Sequence, residues 1–198
     1  MKNSRTITPQ ESIFSQEQSW ELERFAIDEI SAIGNVDLLR TTKVGLLCSM
    51  RCPAKIVLKT QDYVKSLGGK GTLVSGFHSP VEMECLRLLF RENSSAIVCP
   101  AGPIDSLRIP EEWEAKIEKG KLLVLSMFPK AHKRLDARLA YQRNKFVAVI
   151  ADRMFIPFAD KGGKTLELIR FMVSKRKSVS AFDVPENRHL FALGVQRI

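Results

Sequence analysis

No stretch of this 198-residue sequence approaches the ~20 uninterrupted apolar residues of a membrane helix, so a helical membrane-spanning protein is excluded. The opening Met1–Phe14 holds no apolar core of the kind a secretory leader needs, and export is not expected. Cysteine is scarce at four residues, with no CxxC pair, and the three histidines (His78, His132, His189) are scattered. Zinc-ligand spacing is therefore missing, no metal site is expected, and the cysteines read as reduced thiols of a cytoplasmic protein. There is no GxGxxG fingerprint, no GxSxG elbow and no HExxH pair. Nicotinamide, flavin and hydrolase chemistry thus have no support, no cofactor is expected, and no catalytic residue is assigned. Internal repeats, low-complexity tracts and linkers are missing too, which leaves one domain.

Acidic residues are the other shortage, and it is uneven. Residues 1–40 carry four Lys/Arg against seven Asp/Glu, whereas the remainder carries 27 against 15. A body this basic attracts polyanions or phosphate-bearing ligands through a long-range field. The apolar content, 44%, is ample for a globular core.

From Lys43 onward short apolar runs recur at Val44–Cys48, Thr72–Val74, Ala96–Cys99, Leu122–Leu125, Met154–Ile156 and Val179–Phe182. Helical segments separate them at Lys55–Leu67, Val81–Phe90, Glu111–Lys119, Leu135–Ile150 and Leu166–Ser174. Continuous apolar strands alternating with helices predict an α/β domain, doubly wound, with a mostly parallel sheet and helices on both faces. This domain is placed at residues 41–198. Residues 1–40 are expected to form an N-terminal extension with one short helix, spanning Trp20–Ile33 and ending at Gly34.

In such sheets ligands bind beyond the carboxyl ends of the strands. Three of these strand-end loops carry unusual residues. Ser49, Met50 and Arg51 precede Pro53, which suits a first helical position, and Lys55 stands beside it; the uncapped helix start and Arg51 together suit an anion. Ser75 and Gly76 precede Ser79-Pro80-Val81-Glu82, which reads as a capping box. Gly162, Gly163, Lys164 and Thr165 open a helix as a small phosphate cradle, although the first glycine of a Walker A motif would fall on Phe158. A basic arm runs through Lys130, His132, Lys133, Arg134, Arg138, Arg143 and Lys145, with Arg134 and Arg138 one helical turn apart.

Taken in order, these segments resemble the DNA-processing protein A (DprA/Smf) family, within the wider group that includes the LOG (lonely guy) phosphoribohydrolases. Gly34–Leu39 followed by Val44–Arg51 resembles the family's "GN.ELL…VAIVGSR", and Leu73–Gly76 its "VVSG". Arg143-Asn144-Lys145 with Val147–Ala151 resembles "RNRIIAGLS"; Gly162–Thr165 stands in the place of "SGTL", and Val179–Pro185 in that of "VFAVPG". The resemblance implies a Rossmann-like fold that binds single-stranded DNA through a basic pocket, passes the strand to a RecA-type recombinase, and pairs as a homodimer. It implies phosphate contacts from Arg51, Arg143, Asn144, Lys164 and Thr165. The chain departs from the pattern at Ser49-Met50-Arg51, at Phe77–Glu82 (the family has "LARGID") and at Lys145. The alternative is a nucleotide-binding sensor, or a LOG-like hydrolase of a nucleotide's N-glycosidic bond. Gly162–Glu167 partly resembles "PGGxGTxxE", but Glu167 falls one residue early and is expected to face away from the pocket.

Overall fold

The computed structural model describes residues 4–67, 69–129 and 137–198. Its strands are β1 (Arg5–Ile7), β2 (Ile30–Gly34), β3 (Lys43–Leu46), β4 (Thr72–Ser75), β5 (Ala96–Val98), β6 (Leu122–Ser126), β7 (Arg153–Phe155), β8 (Val179–Ala181) and β9 (Gln196–Arg197). Its helices are α1 (Gln16–Arg24), α2 (Ala54–Ser66), α3 (Pro80–Arg91), α4 (Glu111–Glu118), α5 (Ala137–Ile150), α6 (Lys164–Ser174) and α7 (Arg188–Phe191). All nine strands form one sheet in the order β1-β2-β6-β5-β4-β3-β7-β8-β9. Pairing is parallel from β6 through to β9, and antiparallel only where β2 joins β6 and β1 joins β2.

The apolar strand runs are continuous because both faces are covered. Along β6, Leu123 and Leu125 enter a core shared with α1, α5 and α6, while Leu122 and Val124 enter a second core beneath α2, α3 and α4. Every strand residue of β6 is buried. This two-residue alternation pins the register, since a one-residue slip would exchange the two faces.

The N-terminal segment differs from expectation. The helix stops at Arg24, Phe25 caps it, and Ala26 adopts φ 51°. Ile30–Gly34 then forms a strand, with Ser31 opposite Ser126 and Gly34 opposite Leu123. Isoleucines at 27, 30 and 33 mimic helical spacing, but Ile30 and Ala32 face one core and Ile33 the other. Sheet pairing overrides the local pattern. Residues 1–40 therefore bring β1 and β2 into the same sheet besides contributing a helix.

Strand order sets the position of any ligand. The chain lays β3, β4, β5 and β6 outward in one direction, then α5 carries it back to place β7 on the other side of β3. The sheet thus reverses direction between β3 and β7, and the loops leaving these two strands diverge there. Core packing holds the hinge of this reversal. Phe155 is fully buried, with ring centroids 4.1 Å from Tyr63 and 5.0 Å from Phe182. Phe155→Ala should cost about 3–5 kcal/mol of unfolding free energy in urea titrations; a loss below about 1 kcal/mol would contradict this packing.

Candidate functional site

The β4 exit is built around a buried carboxylate. Glu82 is 4% exposed, and its two oxygens accept from the Cys48 N–H (2.9 Å), the His78 N–H (3.0 Å) and the Ser75 hydroxyl (3.1 Å). Ser79 caps α3 by accepting from the Glu82 N–H at 3.3 Å. The expected capping box is therefore half formed: its glutamate reaches past the cap residue and ties the ends of β3 and β4 together. Phe77 completes the turn with φ 49° and a buried ring, its N–H donating to the Ser75 hydroxyl. A bulky residue in this region signals local strain held by its surroundings.

That turn brings Gly76 against Arg143. A Cβ on Gly76 would lie 1.3 Å from Arg143 Nη1 and 1.9 Å from Cζ, so only glycine lets the guanidinium rest there. Arg143, on α5, is 4% exposed; Nη1 donates to the Cys99 carbonyl at 3.0 Å and Nε to Asn144 Oδ1 at 2.7 Å. Burial lowers its pKa from the ordinary value, and the Glu82 carboxylate opposes that shift. No carboxylate lies within ion-pair distance of it among the described residues. A fixed, buried cation of this kind calls for an anion.

A cleft of about 270 Å³ opens beside it, bordered by Cys48, Ser49, Arg143, Asn144, Gly163, Lys164 and Thr165. Ser49 joins the two sides, accepting from the Asp160 N–H (3.0 Å) and donating to the Thr165 hydroxyl (3.2 Å). Gly163 caps α6 without a side-chain bond; the Leu166 N–H is taken by the Gly163 carbonyl at 2.9 Å, which leaves the Lys164 and Thr165 N–H groups and the positive end of the helix to the cleft. Lys164 is exposed. Among the described residues no group of His, Cys, Asp and Glu could hold a metal.

Most of the residues singled out in the sequence converge here. Ser49, Arg143, Asn144, Gly163, Lys164 and Thr165 share the cleft, and Gly76 borders an adjoining one. Ser75 is fully buried with its hydroxyl committed to Glu82 and Phe77. Arg51 is exposed, one residue beyond the cleft-lining Met50, and Gly162 (φ 77°) lies outside the cleft wall. Lys55 is taken by Glu186 at 2.6 Å. Lys145 turns to the opposite side of α5, its ammonium 4.7 Å from the Phe171 ring centroid and 4.9 Å from Tyr141. Glu167 is exposed and borders neither cleft. Of the basic arm, Lys130, His132, Lys133 and Arg134 lie outside the described residues. Sequence reasoning missed His78 and Asp160 as cleft residues, and took Glu82 only as a cap; its buried position was the signal, and burial shows only in three dimensions.

The profile of a family described as DNA recombination-mediator protein A matches residues 10–196. The chain belongs to that family. Among solved structures, DNA processing protein A from Streptococcus pneumoniae is similar at TM-score 0.81 and 16% identity, covering 98% of this chain and 70% of that one. DNA processing protein A from Helicobacter pylori, in a structure describing its single-stranded DNA binding mode, gives TM-score 0.74 and 19% identity over 100% and 93% of the two chains. A molybdenum cofactor binding protein from Rippkaea orientalis shares the fold more distantly, at TM-score 0.56 and 12% identity over 80% and 89%. A comparison with curated proteins gives no significant sequence match.

The four thiols, of which Cys48 borders the cleft, divide by environment. Cys48 is buried and its thiol donates toward Cys52, which raises the first and lowers the second. Burial pushes Cys85 and Cys99 up to about 12. Cys52, half-buried and lowered, should be the first of the four to react with iodoacetamide near pH 8 in the native protein. Peptide mapping checks this, and label appearing first on Cys85 or Cys99 would contradict it.

Proposed function

We propose that the protein binds single-stranded DNA by its phosphates, in the cleft between the β3, β4 and β7 exits, as a DNA-processing, recombination-mediator type of protein. Arg143 carries this reading: a buried guanidinium with no carboxylate partner among the described residues, seated on a glycine, beside the uncapped start of α6. A phosphate entering the cleft meets a cation already oriented by Cys99 and Asn144, so little side-chain freedom is lost on binding. Lys164 adds a mobile charge, and Arg51 extends the positive surface along the strand. These are backbone contacts, so binding is largely indifferent to sequence and weakens with salt.

The family and the Helicobacter pylori structure, whose description names single-stranded DNA, support the choice of ligand. The finer reading follows the family resemblance: a cytoplasmic homodimer that passes its strand to a RecA-type recombinase, acting by binding rather than catalysis. Among the described residues no helix is long and apolar enough to cross a membrane. All four cysteines are unpaired, which suits a reducing compartment. Glu167, the residue a LOG-like hydrolase would require, stands outside the cleft, which favours strand binding over N-glycosidic chemistry.

Arg51→Ala and Lys164→Ala should each weaken a labelled single-stranded oligonucleotide by on the order of 1–3 kcal/mol. Each should also reduce the salt slope by about one. Glu167→Gln should change neither. Fluorescence anisotropy across a salt series reads all three. Wild-type affinity in both cation variants would remove the assignment, as would ready displacement of the oligonucleotide by a nucleoside monophosphate.

A further inference from the structure

We propose that the cavity between α1 and the ends of α5 and α6 binds a free α-amino acid with an apolar side chain as its zwitterion, its carboxylate on Lys177 and its ammonium on Glu17. The site stands apart from the phosphate reading, since none of its lining residues borders the cleft at Arg143.

The cavity lies at the amino ends of the parallel strands. Asp152 and Lys177, just before β7 and β8, line it together with Glu17 and Glu21 of α1 and Lys175 at the end of α6. Its volume is about 210 Å³. That exceeds the ~150 Å³ that holds benzene in an engineered core and falls short of the roughly 300 Å³ where drug-sized pockets begin, so one small metabolite fits.

Charge decides which. Of these five ionised side chains, three are already matched. Asp152 accepts from the Lys43 N–H at 2.6 Å and from its ammonium at 3.2 Å, and Lys175 donates to Glu21 at 3.1 Å. Lys177 and Glu17 are left. The Lys177 ammonium donates to the Ala151 carbonyl at 2.8 Å, which leaves two of its three protons open. Among the described residues neither Lys177 nor Glu17 has an ion-pair partner. Burial lowers the Lys177 pKa, and Glu17 is the carboxylate that opposes this most. The two are thus near enough to interact and too far apart to join. An open cation and an open anion on one cavity call for a ligand that carries both charges.

The remaining walls agree with this ligand. The Ile150 carbonyl accepts from Gln18 Nε2 at 2.6 Å, and the Ala151 carbonyl is held by Lys177, so Glu17 is the acceptor left for an ammonium. Val149 and Met172 are buried in the core, with Phe171 packed against it, and the three give the cavity an apolar floor. An aliphatic side chain laid on that floor removes apolar surface from water. Glu17 is exposed and Lys177 half-buried, which leaves the cavity open from the α1 side.

Calorimetric titration of the full chain with leucine, leucinamide and N-acetylleucine tests the assignment. Leucine should bind at one site. Leucinamide keeps only the cation and N-acetylleucine only the anion, and each should bind at least about tenfold more weakly, the scale of one lost charge-assisted contact. Glycine, which leaves the floor uncovered, should also bind more weakly than leucine. Lys177→Met should lower leucine to the leucinamide level without weakening leucinamide, and Glu17→Gln should lower it to the N-acetylleucine level without weakening N-acetylleucine. Failure of leucine to bind overturns the proposal, as do equal affinities for leucine and any of the other three ligands. Full leucine affinity in a folded Lys177→Met or Glu17→Gln variant overturns it as well. If Lys177→Met does not fold, Glu17→Gln at its exposed position and the four ligands on the unaltered chain decide. Oligonucleotide binding should be the same with and without leucine, so this result and the phosphate reading stand or fall separately.

Discussion

A guanidinium lying on the Cα of a glycine is the contact on which the site depends. Arg143 is buried, and a buried cation is costly unless its donors and its charge are both answered. The Cys99 carbonyl and Asn144 answer two of the donors, and the buried Glu82 carboxylate balances part of the charge from a distance. Nothing among the described residues supplies an anion in direct contact. The protein therefore holds a cation in fixed geometry with one requirement left open toward the cleft, and a phosphate is the ligand that meets it.

The rest of the fold serves to hold that arrangement. Glu82 binds the ends of β3 and β4 to the start of α3, which sets the Gly76 turn. Ser49 binds the β3 exit to the β7 exit through Asp160 and Thr165, which places the start of α6 across from Arg143. Both ties sit where strand order reverses. The crevice is thus a consequence of topology, and short hydrogen bonds between loops decide its shape.

Much of this was legible in the sequence because the central strands are buried on two faces. Val44, Leu73, Ala96, Leu122 and Met154 stand in apolar runs too dense for a half-exposed sheet, and helices of ordinary spacing lie between them. Ile30–Gly34 was not legible as a strand, since isoleucines three apart read as a helix until β6 is there to pair with. The loops were legible as anion sites through their Gly, Ser and Arg residues, but direction was not. Each step along a helix turns about 100°, so Arg143 enters the cleft while Lys145, two residues on, packs on Phe171 behind it. Lys55 looked like part of the site and is paired with Glu186.

Gly76→Ala tests the central claim most directly, since it moves Arg143 and leaves the net charge untouched. Single-stranded DNA affinity should be measured by anisotropy at low and moderate salt, with melting temperature confirming the fold. A folded variant that binds at least about tenfold more weakly, the scale of one lost charge-assisted contact, is the predicted result. Unchanged affinity in a folded variant would mean that a diffuse basic surface, rather than this cleft, holds the strand.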